Sequence, residues 1–388
     1  MEYIQRELEA ELRESSLEMP VIAVLGPRQS GKSTLARATF PDKEYVSLED
    51  LNEREFAQSD PLSFLARYKD GAIFDEIQRA PDLFSYLQSE VDRDDTPGRF
   101  ILTGSHQFSL VEKITQSLAG RIRLLKLLPF SFSEVGVENR NLDEMMFSGL
   151  YPRIHHRALR PDRWLSDYFD TYVQKDVRQI KNIGDLDKFV TFVKMLASRV
   201  GQLLNLSSVG NDCGISHNTA QSWLTILEGS YIVYTLKTHH KNFNKRLVKT
   251  PKVYFYDTGL LCHLLAITNP TELATHRLRG GIFESMILTE VIKSCFNRGT
   301  TPPLYFWRDK LGHEIDGVLE KASFLIPIEI KSGKTVGSDF FKGLQYWAKL
   351  SKSEEPGYLV YGGDDSYERQ GTKVLSWKDL AALTSSLF

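Results

Sequence analysis

The sequence predicts an α/β protein in three parts: an N-terminal parallel sheet covered by helices, a mostly helical middle, and a C-terminal segment mixing helices and strands. Three observations carry this. Short apolar runs alternate with helix-forming stretches from Val21 to about Gly136, a helix–turn–helix pattern followed by a basic hairpin fills the middle, and from Gly280 the pattern reads helix, strand, strand, helix, strand. The expected boundaries are 1–147, 148–279 and 280–388, since 388 residues exceed what one core usually organises. At 41% hydrophobic and 25% charged residues the composition excludes a disordered polymer. No apolar run approaches the roughly 20 residues that span a bilayer, and the charged start Met1-Glu2-Tyr3-Ile4-Gln5-Arg6 does not read as a signal peptide. Three scattered cysteines, Cys213, Cys262 and Cys295, are too few for a disulfide framework or a zinc site. A cytoplasmic protein without a membrane partner is expected.

The first part is built on four expected strands, Val21 to Leu25, Tyr45 to Leu48, Ala72 to Phe74 and Phe100 to Leu102. After the first comes Gly26-Pro27-Arg28-Gln29-Ser30-Gly31-Lys32-Ser33-Thr34, a match to G-x-x-x-x-G-K-[ST] that opens a helix. Glycines let backbone N–H groups wrap an anion, the helix N-terminus adds partial positive charge, Lys32 reaches the β- and γ-phosphates, and the Ser33 hydroxyl can ligate magnesium. The third strand ends in Asp75-Glu76. Asp75 is suited to hold Mg2+ through its water shell and Glu76 to polarise the attacking water. The fourth ends in Thr103-Gly104-Ser105, where the carboxyl ends of parallel strands line a nucleotide crevice.

This ordered set resembles an AAA-type ATPase core. The resemblance implies ATP as ligand and makes Ser105 or Thr103 the sensor that orients the attacking water. Leu118-Ala119-Gly120-Arg121-Ile122-Arg123 then offers an arginine finger, Arg121 foremost. If Arg121 acts in trans, the protein is a homo-oligomer; a lone arginine also serves as an ordinary ion-pair residue.

The formal net charge of -2 argues on average against a nucleic-acid partner, but the charge is segregated. Residues 150–279 hold 18 Lys and Arg against 10 Asp and Glu, a surplus of +8 that leaves -10 for the rest. Within them, Leu206 to Glu228 reads as a helix-turn-helix: Gly214 takes the turn, Ser216 caps the second helix, and Ala220, Trp223, Leu224 and Leu227 share an apolar face. A hairpin from Tyr231 to Tyr256 follows, with Lys237, His239, His240, Lys241, Asn242, Lys245, Arg246, Lys249 and Lys252 and no acid at its centre. This resembles a winged-helix domain. On that resemblance His217, Asn218, Gln221 and Ser222 face the major groove of DNA, and Lys241, Lys245 and Arg246 meet phosphates. Such modules also serve as lids or protein contacts. Tyr168 to Ile180, with Tyr172 and Asp176, resembles the linking region of the same proteins and has no chemical role assigned.

In the last part, Ile326-Pro327-Ile328-Glu329-Ile330-Lys331 is a strand whose alternation sends Glu329 and Lys331 to one face. The preceding strand, Glu314 to Leu319, carries Asp316, and a turn near Lys321 brings Asp316 beside Glu329. Glu284 opens the helix Phe283 to Cys295, and Gln345 lies in the helix that follows. Together these resemble the PD-(D/E)xK restriction-endonuclease-like fold. The resemblance makes Asp316 and Glu329 magnesium ligands, Glu284 their support, and Lys331 the group that positions the attacking water. Domains of this fold also act as non-cutting contacts. The whole chain resembles prokaryotic AAA-type ATPases with such a C-terminal domain, and two expectations follow: an ATP-hydrolysing protein that acts on DNA and carries a metal-dependent nuclease domain, or an ATP-dependent regulatory switch whose C-terminal domain only docks on DNA or a protein.

Overall fold

Val21–Leu25 (β1) is apolar at every position because both of its faces are buried. Val21, Ala23 and Leu25 enter one core with Phe64, Phe74, Phe84 and Phe100, while Ile22 and Val24 enter a second with Leu8, Leu35, Ile73 and Ile101. Glu44–Ser47 (β2), Ala72–Asp75 (β3), Phe100–Gly104 (β4) and Ile122–Lys126 (β5) join β1 in an all-parallel sheet of order β2-β3-β4-β1-β5. The four strands expected from the sequence are present. β5 was not foreseen: it pairs only with β1 at the sheet edge, and its Ile122-Arg-Leu-Leu-Lys pattern is only partly buried.

The computed structural model describes residues 3–105, 117–172, 184–240, 247–322, 324–352 and 356–385. It divides into two compact units, the first comprising 1–130, 229–231 and 295–301, the second 131–228, 232–294 and 302–388. Among the described residues no helix is long and apolar enough to cross a membrane.

The second unit contains both remaining patterns read from the sequence. Helices Leu206–Asp212 and His217–Gly229 flank a turn in which Gly214 takes a left-handed φ of 63°, and Ser216 Oγ accepts the Thr219 N–H at 3.1 Å as the cap. Ala220, Trp223, Leu224 and Leu227 are buried. Val233–Leu236 (β6) pairs antiparallel with Lys252–Phe255 (β7). A separate six-stranded sheet has the order β12-β13-β11-β10-β9-β8, from Leu304–Arg308 (β8), Glu314–Lys321 (β9), Phe324–Lys331 (β10), Tyr358–Tyr361 (β11), Tyr367–Arg369 (β12) and Thr372–Ser376 (β13). β8, β9 and β10 run antiparallel; β10, β11 and β13 run parallel. Helix Lys342–Ser351 lays Leu344 and Trp347 on this sheet against Trp307, Val318 and Leu359. Helix Arg279–Phe296 is pinned to β7 by Ser285, whose Oγ accepts the Phe255 N–H at 3.0 Å and donates to the Phe255 carbonyl at 2.8 Å.

Candidate functional site

The loop after β1 has a backbone that only its own sequence permits. A Cβ on Gly26 would lie 2.0 Å from the Leu127 carbonyl oxygen, and Gly31 sits at φ 95° at the start of helix Lys32–Thr39. The first N–H groups of that helix have no intrahelical acceptor and face the loop. Lys32 is buried and donates to the carbonyls of Gly26 at 3.0 Å and Pro27 at 2.8 Å. Burial pushes its pKa down to about 8, against an opposing pull from Glu76 and Asp75. Ser30 Oγ is buried with no hydrogen-bond partner among the described residues.

Asp75, at the end of β3, collects three hydroxyls: Ser33 Oγ donates at 2.7 Å, Tyr45 OH at 2.7 Å, and Thr103 Oγ1 also donates. Beside it Glu76 holds a left-handed φ of 55° and accepts from Ser105 Oγ at 3.2 Å and from Gln78 Nε2, which also donates to Ser105 Oγ at 3.2 Å. The strand register explains the convergence, since β1, β3 and β4 are parallel neighbours whose carboxyl ends align. A polyphosphate fits the orphaned Ser30 hydroxyl, the helix N-terminus and Lys32; a magnesium ion fits the oxygen donors Ser33 and Asp75.

Three residues here were missed from the sequence. Arg6 is buried and donates to the carbonyls of Ser30 and Leu128, both at 2.7 Å, bracing the loop from outside the motif. Tyr45 and Gln78 complete the shells of the two acids. The signal for Tyr45 was its place on a strand next to β3; Arg6 left none. Arg121 donates from Nε to Asp92 at 2.5 Å, so the arginine singled out for a finger is ion-paired here.

The second constellation lies on β7, β9, β10 and helix Arg279–Phe296. The hairpin register pairs Ile328 with Gly317, so Glu329 comes beside Asp316 one step on. Lys331 Nζ donates to Glu329 Oε1 at 2.7 Å and to Asp316 Oδ2 at 3.3 Å. Glu284 is beside them, but its partners are Lys252 Nζ at 3.0 Å and Tyr254 OH. Lys252 is 2% exposed, and its Nζ also lies 2.5 Å from Glu314 and 4.0 Å from Asp316. Lys252 is therefore not part of an exposed basic hairpin run, as its neighbours in sequence implied; the period-two alternation of β7 turns it and Tyr254 together onto Glu284. Burial opposes its charge, yet Glu284, Asp316 and Glu314 outweigh that and hold its pKa above the ordinary lysine value. Burial raises Glu284 to about 7 and Glu329 to about 8, Asp316 adding to both, while Lys252 and Lys331 respectively oppose the shift. A divalent ion does not fit this donor set as it stands, because ammonium groups already fill the space between the carboxylates. Gln345 stands apart, donating to Gln370 at 3.1 Å.

His217, Asn218 and Gln221 are exposed on the opening turns of the second helix of the helix-turn-helix pattern, with Ser222 half-buried behind them. Lys241, Lys245 and Arg246, and Asp176, lie outside the described residues.

Residues 18–136 match the family model of an AAA domain, and 139–271 and 279–380 each match a domain of unknown function. An uncharacterized protein of Mycobacterium tuberculosis is 29% identical over 334 residues, covering 85% of this chain and 74% of its own. An uncharacterized protein of Haemophilus influenzae is 25% identical over 181 residues, 42% of this chain and 45% of its own. Among solved structures, a Walker-type ATPase of Pyrococcus abyssi is similar over 68% of this chain and 96% of its own at 15% identity and a TM-score of 0.47. AMPPCP-bound DnaA from Aquifex aeolicus is similar over 57% and 85% at 14% identity and a TM-score of 0.30. The parallel sheet, the phosphate-binding loop with its acidic partners, and the matched span together make residues 18–136 an AAA-type P-loop domain.

Proposed function

We propose that this protein is a magnesium-dependent ATP hydrolase that works as a nucleotide-driven switch on DNA. The observation that carries the reading is the closed set at the strand ends: Lys32 in the loop, Ser33 on Asp75, and Ser105 on Glu76. Lys32 and the loop N–H groups bind the triphosphate, Ser33 and Asp75 hold the ion, and Glu76, oriented by Ser105 and Gln78, accepts a proton from the attacking water. When bound, magnesium neutralises charge on the β- and γ-phosphates. Arg121 would complete a neighbouring subunit's site in a homo-oligomer by exchanging its Asp92 partner for phosphate.

DNA is the proposed partner of the helix His217–Gly229, with His217, Asn218 and Gln221 toward base edges and Lys241, Lys245 and Arg246 on phosphates. The exposed polar turn and the +8 surplus of 150–279 support this. We keep the three-part division at 147 and 279 as part of the same proposal. Of the two sequence-based expectations the non-cutting switch is favoured, because Lys252 stands among the acids of the C-terminal constellation. Phosphate release from ATP should fall by about 10²-fold or more in Lys32→Ala; turnover that survives the substitution would overturn the assignment. Binding to a DNA duplex, measured by fluorescence anisotropy, should weaken steeply with salt, and affinity indifferent to salt and to Lys245→Ala/Arg246→Ala would remove DNA from the reading.

A further inference from the structure

The C-terminal constellation assembles four carboxylates, Glu284, Glu314, Asp316 and Glu329, around two buried or half-buried ammonium groups. Lys331 is 31% exposed and belongs to the outer side of the cluster, bridging Asp316 and Glu329. Lys252 is the inner cation. Its Nζ contacts Glu284 and Glu314 and lies 4.0 Å from Asp316 Oδ1, the oxygen that Lys331 does not use, so it stands among three of the four carboxylates and beside an acid that a divalent ion would need. Its side chain cannot simply swing out to water: only 2% of it is exposed, and the ammonium lies 5.5 Å over the Phe306 ring. The guanidinium of Arg308, 2.8 Å from Glu314, adds a third cationic group to the cluster. A dication added to this set would meet a monocation held within a few ångströms, in a buried site where their repulsion is poorly screened.

We propose that Lys252 is a built-in counter-ion that takes the place of the divalent cation in this centre, so the C-terminal domain takes up no catalytic metal and does not cut DNA. The proposal rests on reading the cluster as a nuclease-like centre. A nuclease must bind its metal with carboxylates free to exchange water for phosphate oxygens; here the same acids serve to seat β7 against β9 and the helix Arg279–Phe296.

Manganese binding to the full chain without nucleotide, followed by the loss of the free-ion electron paramagnetic resonance signal, tests this. All samples carry Asp75→Asn, which removes the acid of the phosphate-loop site. The parent should show no manganese site dependent on Asp316. Lys252→Met/Glu314→Gln, which removes the ammonium together with its nearest carboxylate and so preserves the charge balance, should gain a site at least about tenfold tighter than any in the parent. Adding Asp316→Asn should abolish that site. Manganese binding by the parent that disappears in Asp316→Asn would overturn the proposal and leave the nuclease-like reading standing. Binding by neither parent nor double variant would overturn both. Circular dichroism checks that the double variant is folded; if it is not, the parent with and without Asp316→Asn decides. Plasmid nicking by the unsubstituted protein, lost in Lys331→Ala, would also overturn it.

Discussion

The pH dependence of nucleotide affinity follows from the burial of one lysine. Lys32 without nucleotide titrates near 8, pulled down from 10.5 mainly by burial. A triphosphate seated on the loop places strong negative charge against the ammonium and restores its protonated form. Below pH 8 the lysine is already charged and affinity is flat in this group; above it, binding must take up a proton, so affinity falls as pH rises. The apparent Kd should rise about twofold at pH 8 and about elevenfold at pH 9 relative to the acid limb, approaching tenfold per pH unit. The same shift costs the empty protein on the order of 3 kcal/mol at neutral pH, a cost that declines as pH rises from about 8 toward 10.5 and that bound nucleotide removes. Fluorescent ATP-analogue titrations at constant ionic strength, run above about pH 7.5 where the phosphates are past their ionisation near pH 6, isolate the lysine. Lys32→Arg, charged throughout this range, should bind more weakly but with no slope. A wild-type Kd that stays flat from pH 7.5 to 9.5 would refute the reasoning, because it would mean that Lys32 keeps its charge in the empty loop.

Other substitutions separate the roles at the strand ends. Glu76→Gln should retain ATP binding and lower turnover by about 10²–10⁴-fold, the range of a lost general base; equal losses in binding and turnover would argue that Glu76 is structural. Arg6→Met removes two charged hydrogen bonds, to the carbonyls of Ser30 in the loop and of Leu128, and should destabilise this region by about 3–6 kcal/mol, seen as weaker ATP binding and earlier thermal unfolding. If neither changes, the arginine is not a brace. His217→Ala/Gln221→Ala should relax DNA sequence preference by about 1–3 kcal/mol per lost base contact while leaving the salt slope intact, and a changed slope with unchanged preference would reassign these residues to the backbone.

What the sequence displayed well was contiguous. The phosphate loop, Asp75-Glu76 and Thr103-Gly104-Ser105 each sit at the end of an unbroken apolar run, because a parallel strand buried on both faces has no polar position until it emerges. β5 hid for the converse reason: an edge strand with Arg123 and Lys126 partly exposed reads as a basic loop continuing from Arg121, which is engaged with Asp92. Asp316, Glu329 and Lys331 were legible from alternation within two adjacent strands, Glu284 only through the resemblance, and the structure brings all four together. The inner cation was not. Lys252 comes from a strand of a different sheet and stands in sequence among cations, so nothing local distinguishes a buried ammonium from a solvated one. Arg6, 24 residues before the carbonyl it holds, is invisible for the same reason.

The pinning of β7 to helix Arg279–Phe296 bears on how the protein can be dissected. Through Ser285 on Phe255, Lys252 on Glu284 and Tyr234 facing Thr289 at 3.3 Å, the hairpin that precedes residue 279 supplies backbone partners and a cation to elements that follow it. A fragment beginning at 280 would expose those faces and strand Glu284 and Glu314 without their lysine, while a fragment ending at 279 would leave Lys252 without its acids and uncover the face of β7 that they cover. The two halves of the second unit thus depend on each other for their packing, and a cut at 279 divides one folded body rather than separating two.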